Sequence, residues 1–248
     1  MQRSVESWRG LLIYELVGEG NANKVFRRCN DEVVPVSPPS TLIRVSKNGV
    51  DPQSIVDFWN TWKSTDLGQF MKTMSVTVDD TYGECIELEE IVGVIQFKPK
   101  WLTQSPAAPG DALSCRTCAI KKMRHQECNW CPLDLSCNDV DSVRALVESN
   151  SQDISISERE EITRAVIDSQ LFPILSKWQS QSTLTDSMSL RDITVIVEKS
   201  LHKNGYWPFI VDLDPKMPKP KWAKLEEDLK PYYKQFSSVC RLSRKNKI

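Results

Sequence analysis

Asp192 directly precedes the β-branched, apolar run Ile193 to Val197, and a second such run, Pro208 to Asp212, closes on Asp212-Leu213-Asp214. A carboxylate held at the mouth of a strand can accept the proton of an attacking hydroxyl. Alternation along a strand puts residues i and i+2 on one face, so Asp212 and Asp214 can share a divalent cation of the kind that bridges nucleotide phosphates. Two like charges that close repel, and a metal or a lysine must offset them. Lys216, Lys219, Lys221 and Lys224 follow at once. An acid pair with a lysine run at a strand end is more specific than either half; the plainer reading is a solvated turn with surface lysines.

Cations cluster elsewhere too. Lys98-Pro99-Lys100 ends an apolar run, and the proline presents its two lysines from a stiffened backbone. Arg116, Lys121, Lys122, Arg124 and His125 form a second cluster. Such groups suit a small, densely charged anion; the whole chain carries a net charge of only −1 and lacks the broad basic face of a nucleic-acid binder. Gly18-Glu19-Gly20-Asn21-Ala22-Asn23 sits between two extended stretches. Glycines there let backbone N–H groups approach phosphate oxygens. The dinucleotide fingerprint and the Walker loop are both absent, so the choices are a phosphate-covering loop of kinase type or a plain hairpin turn. Arg44, with Lys47 as the alternate, follows at the distance of a phosphate-neutralising cation; an edge-strand cation facing solvent is the bland reading.

Cys115-x2-Cys118 and Cys128-x2-Cys131 form two paired knuckles, with His125 between them and Cys137 beyond. Four thiolates so spaced can hold a structural zinc; the alternative is buried, reduced thiol. Eight cysteines without a secretory leader read as thiols or metal ligands, and the expected compartment is intracellular. No run approaches the roughly 20 apolar residues that span a bilayer.

The elements that must position these groups are mixed. Leu11 to Val17, Lys24 to Arg28 and Thr41 to Ser46 read as strands of an antiparallel sheet, with a Pro/Ser-rich loop over Val33 to Ser40. Asp51 to Lys63 reads as a helix burying Ile55, Phe58, Trp59 and Trp62. Ile91 to Phe97 is a strand, and Trp101 to Leu113 a Pro/Ala/Gly loop. A helix follows Asp139 with Val143, Leu146 and Val147 inward. Ser157 and Glu160 give a capping box for the next helix, which Pro173 should kink or end. An amphipathic helix, Trp222 to Leu229, closes the fold. The class is α+β in two lobes, residues 1–100 and 101–248.

Together, GEGNANKVF (Gly18 to Phe26), LIRVSK (Leu42 to Lys47), QFKPKWLTQSP (Gln96 to Pro106), CRTC (Cys115 to Cys118), CPLDL (Cys131 to Leu135), SLRDITVIV (Ser189 to Val197) and VDLDPK (Val211 to Lys216) resemble, in order, the inositol-pentakisphosphate 2-kinase family, and the fungal members most. The resemblance implies a two-lobed inositol-polyphosphate-kinase fold distantly related to protein kinases. It also implies transfer of the γ-phosphate of ATP, with Mg2+, to the 2-hydroxyl of inositol 1,3,4,5,6-pentakisphosphate, giving the hexakisphosphate. By motif match Glu19, Gly20, Asn21, Ala22 and Asn23 cover the ATP phosphates and Arg44 contacts ATP. Asp192 is the base, Asp212 a magnesium ligand with Asp214 nearby, and Lys98, Lys100, Arg124 and Lys216 hold inositol phosphates. The expected partner is the small-molecule substrate alone, with no nucleic acid and no membrane, for a monomer in nucleus or cytoplasm. Gln96 departs from the family's usual glutamate, and the segments 48–95 and 138–188 are short. A weakened or truncated member, and a zinc-stapled anion-binding module, are the alternatives. The resemblance weighs against zinc at Cys115, Cys118, Cys128 and Cys131, since CRTC and CPLDL look like family motifs in their own right.

Overall fold

A computed structural model describes residues 13–19, 23–29, 41–46, 50–89, 91, 93–151, 153–200, 205–216 and 220–245. The chain divides into two compact units, Met1–Trp62 with Lys72–Ile91, and Lys63–Met71 with Val92–Ile248. Mixed helices and antiparallel sheets make the class α+β.

Among the described residues, the first unit is a five-stranded antiparallel sheet with one helix. Its strands are β1 (Ile13–Glu19), β2 (Asn23–Cys29), β3 (Thr41–Ser46), β4 (Met74–Asp79) and β5 (Gly83–Glu89), in the order β1-β2-β3-β5-β4. The helix α1 (Pro52–Lys63) begins where the Asp51 carboxylate accepts from the Gln53 and Ser54 N–H groups, with Pro52 at the position where a missing N–H costs nothing. It buries Ile55, Val56, Trp59 and Trp62. Phe58, expected on that face, is half-buried and meets the Trp62 ring edge-on instead. The β4–β5 hairpin has no counterpart in the sequence reading. Asp79 and Gly83 pair across it, the Asp79 carboxylate accepts from the Thr81 and Tyr82 N–H groups, and Gly83 takes φ 70°. Three residues, Asp80 to Tyr82, make the turn, and the left-handed conformation falls on Gly83, the first residue of β5, which lacks the Cβ that would oppose it.

The second unit holds a three-stranded antiparallel sheet, β6 (Gly93–Phe97), β7 (Thr194–Ser200) and β8 (Gly205–Val211), in the order β6-β7-β8. Helices α2 (Arg116–Met123), α3 (Pro132–Leu135), α4 (Val140–Glu148), α5 (Ile156–Asp168), α6 (Leu171–Gln181) and α7 (Leu184–Asp192) lie between β6 and β7 in sequence. Helices α8 (Pro220–Tyr233) and α9 (Arg241–Lys245) follow β8. Alternation along β8 buries Tyr206, Pro208 and Ile210. Helix α5 packs on this strand, where the Tyr206 hydroxyl donates to Glu158 at 2.6 Å.

Two helix boundaries differ from expectation. The cap of α5 is Ser155, which accepts from the Glu158 N–H, not Ser157 with Glu160. Glu160 is held by Arg144 of α4 at 2.8 Å, so its partner is tertiary and not a cap. Pro173 neither kinks nor ends α5, which stops at Asp168; a left-handed Gln170 turns the chain, and Pro173 falls in the first turn of α6, where its lack of an N–H is tolerated. Among the described residues no helix is long and apolar enough to cross a membrane.

Candidate active site

The second sheet explains why three distant segments meet. Phe97 pairs with Val195, and Thr194 pairs with Val211, so the end of β6, the start of β7 and the end of β8 share one edge. Lys98, Asp192 and Asp212 emerge there. The Lys98 ammonium donates to the Asp192 carbonyl at 2.9 Å and lies 3.7 Å from an Asp212 carboxylate oxygen. The Lys216 ammonium lies 3.7 Å from the Asp192 carboxylate, while its N–H donates to the Ser189 hydroxyl at 2.8 Å. Asp192 is thus bracketed by two lysines from segments more than twenty residues away on either side.

The expectation that strand alternation aligns Asp212 with Asp214 does not hold. The strand stops at Val211, and Asp212 adopts φ 60°, a left-handed turn that resets the alternation. Leu213 is fully buried, Asp212 is exposed and Asp214 half-buried. The exposed Asp212 carboxylate and its Lys98 partner therefore stand at the sheet edge.

Beside Asp192 opens a cleft of about 800 Å³. Among its described lining residues, lysines and arginines outnumber aspartates eight to two. Lys100, Arg124 and Lys216, three of the four cations expected to hold phosphates, line it together with Asp192; Lys98 does not. Helix α2 supplies Lys121 and Arg124, and α8 supplies Lys221 and Lys224. The two helices are locked by a buried ion pair, Arg116 to Glu226, whose other oxygen accepts from the Tyr233 hydroxyl at 2.9 Å. Arg116 thus serves the wall of the cleft as much as its charge.

Crowding of like charge marks the cleft electrostatically. Burial holds the Lys100 ammonium below the ordinary lysine range; Asp192 opposes this, and Lys98, Arg191 and Arg124 reinforce it. Burial lowers Arg191 likewise, with Arg116 adding to the effect. The Arg191 guanidinium sits 5.4 Å above the Trp101 ring, which shields one of its faces from water. An anion entering here relieves repulsion as well as making bonds.

Lys100 also has φ 66°. It is kept there by Gln179 of α6, whose amide donates to the Lys100 carbonyl at 3.0 Å while its carbonyl accepts from the Leu102 N–H at 2.8 Å. Nothing in the sequence points to Gln179, because its partners lie 77 and 79 residues away. Arg191 was visible only as the neighbour of Asp192.

In the first unit β1 and β2 are the two antiparallel strands expected on either side of the Gly-rich segment, with Glu19 opposite Lys24. Gly20, Asn21 and Ala22 lie outside the described residues, as does Lys47; Glu19 and Asn23 are the strand ends. Arg44 is not an edge-strand cation: β3 lies between β2 and β5, and Arg44 is buried.

The cysteines converge differently from their spacing. Cys115, Cys118, Cys131 and Cys240 are all buried, with sulfurs within 4.8 Å of one another. Cys240, which no knuckle pattern includes, takes the place expected for Cys128. The Cys128 sulfur lies 3.6 Å from that of Cys118, at the half-buried margin of the cluster.

The model of the inositol-pentakisphosphate 2-kinase family matches residues 60–181. The chain is also 30% identical over 154 residues to the inositol-pentakisphosphate 2-kinase of Yarrowia lipolytica, covering 54% of this chain and 51% of that protein. The chain therefore spans about half the length of that relative. Lys98, Lys100 and Arg124 fall inside the matched family region; Asp192, Asp212, Asp214 and Lys216 follow it. On these two likenesses, the chain is similar to the inositol-pentakisphosphate 2-kinase family over about half of its length.

Proposed function

We propose that this chain is an ATP-dependent kinase that phosphorylates the 2-hydroxyl of inositol 1,3,4,5,6-pentakisphosphate to give the hexakisphosphate. The observation that carries the reading is the cleft in which Lys100, Arg124 and Lys216 surround a single sheet-edge carboxylate, Asp192. Its size is within the range of small-molecule pockets, and its cation excess suits a ligand with phosphates on nearly every face. Asp192 accepts the proton of the attacking hydroxyl, and Lys216 at 3.7 Å steadies its charge. Lys98 ties Asp192 to Asp212, a positioning role beside the phosphate-binding one that the resemblance gives it.

The Asp212 carboxylate at the sheet edge suits magnesium, a hard cation that takes carboxylate oxygens, and would hold it; Asp214, which the turn at Asp212 takes out of alignment, keeps only the nearby place that the resemblance gives it. When bound, Mg2+ with ATP supplies the phosphoryl group and neutralises its developing charge. Glu19 to Asn23 and Arg44 are the proposed ATP contacts, in a two-lobed kinase-like fold. Nuclear or cytoplasmic placement and a monomeric state belong to the same reading.

The test is phosphate transfer from ATP to inositol 1,3,4,5,6-pentakisphosphate, with and without magnesium, in the parent chain and in Asp192→Asn. Product that requires both magnesium and Asp192 is expected, with turnover down by a factor of about 10² to 10⁴ in the variant. Equal turnover in the two proteins overturns the role of Asp192. The short match to its relative favours one second reading, a member that binds the inositol phosphate without turning it over. Tight binding by the parent chain with no product under any condition would select it.

A further inference from the structure

We infer that Arg191 is a specificity-determining residue of the cleft, taking a phosphate on a ring carbon next to the hydroxyl that reacts. The inference rests on the reading of Asp192 as the base. Arg191 lies in the last turn of α7, immediately before Asp192, and both residues line the cleft. Consecutive Cα atoms are only about 3.8 Å apart. With the reacting hydroxyl at the Asp192 carboxylate, the ligand groups nearest Arg191 are those on the neighbouring ring carbons, the 1- and 3-phosphates.

The guanidinium is held in place but its donors are unused. It lies 5.4 Å from the centroid of the Trp101 ring, and Trp101 is 2% exposed, so the platform belongs to the core. Such a contact fixes the group without consuming its N–H donors. Among the described residues no acceptor takes those donors, because the nearby acids are engaged elsewhere. Glu226 holds Arg116 and accepts from Tyr233, and the Asp192 carboxylate faces the Lys216 ammonium at 3.7 Å. Burial and the Arg116 charge both weigh against the charged form of Arg191, yet a guanidinium does not escape by losing a proton. A planar fork that is stacked, charged and unpaired suits the paired oxygens of one phosphate.

Discrimination follows from the same geometry. The lysines of the lining, Lys100, Lys216, Lys221 and Lys224, attract any polyanion as point charges. A half-buried fork is different: when its phosphate is missing, its donors stay unpaired, and the wrong ligand bears that cost.

The experiment is calorimetric titration of the full chain, Arg191→Met and Arg191→Lys with three probes. These are inositol 1,3,4,5,6-pentakisphosphate, inositol 1,4,5,6-tetrakisphosphate, which lacks the 3-phosphate, and inositol 3,4,5,6-tetrakisphosphate, which lacks the 1-phosphate. The parent should prefer the pentakisphosphate to one of the tetrakisphosphates by at least tenfold. In Arg191→Met that preference should shrink by a factor of about 10 to 150, because the pentakisphosphate loses a contact that the tetrakisphosphate never had. Arg191→Lys should bind all three probes more tightly than Arg191→Met without restoring the preference. It keeps the charge, so the test stands even where the methionine variant does not fold. An equal loss for all three probes, or no loss, overturns the assignment. A parent that binds the pentakisphosphate without making product would sink the kinase reading and leave this test of Arg191 intact. A parent that turns it over while Arg191→Met keeps the full preference would sink Arg191 alone.

Discussion

Replacing Lys100 by asparagine should make the unliganded protein more stable and the liganded one less so. Lys100 is held at φ 66°, a region that costs an ordinary L-residue about 1 kcal/mol and that asparagine enters more readily. Its charge is buried among Lys98, Arg191 and Arg124, with only Asp192 opposing them. The asparagine keeps the main-chain carbonyl that Gln179 holds, so the local fold has no new defect. A gain of about 1 kcal/mol raises the unfolding midpoint by about 2–4 °C in a protein of this size, and loss of the buried charge adds in the same direction. The sign with pH follows from the lowered value of Lys100. Between its folded value and the ordinary lysine value the unfolded chain binds the extra proton, so stability rises with pH across that window. Below it the charged side chain penalises the fold in full, and the advantage of the variant is therefore largest below that window. A charge-assisted contact is worth about 1.5–3 kcal/mol, so inositol pentakisphosphate should bind about 10- to 150-fold more weakly. Thermal unfolding with and without that ligand reads both effects. A lower midpoint without ligand, together with an unchanged ligand-induced shift, would refute the argument that this cleft is strained for an anion.

Three further substitutions probe the surrounding frame. Gln179→Ala should leave the Lys100 carbonyl and the Leu102 N–H without their partner, costing about 1–3 kcal/mol for each group that water does not reach, and should weaken ligand binding; unfolding and calorimetric titration check both. Glu226→Gln breaks the buried pair with Arg116 and should lower the unfolding midpoint by about 6–20 °C, from a loss of about 3–5 kcal/mol. A shift below 2 °C would mean that the α2–α8 junction does not depend on that charge. Asp212→Asn, chosen because alanine would be strained at φ 60°, should leave the midpoint within about 1 °C while magnesium-dependent turnover falls; retained turnover would remove Asp212 from the metal site.

Much of the scaffold was legible because its signals are local. The β-branched runs of β3, β7 and β8 and the aromatic spacing of α1 declare themselves within a dozen residues. The β4–β5 turn has a local signature too, in Asp79 with Gly83, although no strand was expected on either side of it. Helix α2 escaped because it is short and weakly amphipathic, with a cysteine as its cap in place of the usual serine or aspartate. At the site, residue types pointed to Asp192, Lys100, Arg124 and Lys216, but only the pairing of β6, β7 and β8 brings them to one edge. Register across a hundred residues has no signature in a single sequence. Cys240 illustrates the same limit: spacing favours Cys128, and the chain returns from 109 residues beyond Cys131 to fill the position.

That return also bears on the order in which the protein assembles during synthesis. The Leu113 and Ser114 N–H groups donate to the Tyr233 carbonyl, the Ser114 hydroxyl donates to the Gln235 carbonyl, and the Cys115 N–H meets the Cys240 sulfur. The segment before α2 is translated long before any of these partners exists. Until the ribosome has released the region around residue 240, that segment has unpaired polar groups and uncovered sulfurs. The α2 wall therefore cannot set before that region has emerged, and a nascent chain stalled short of it lacks the finished cleft. Long sequence separation of this kind slows folding, and it makes this junction the point where a chaperone or an oxidant would find the growing chain most open.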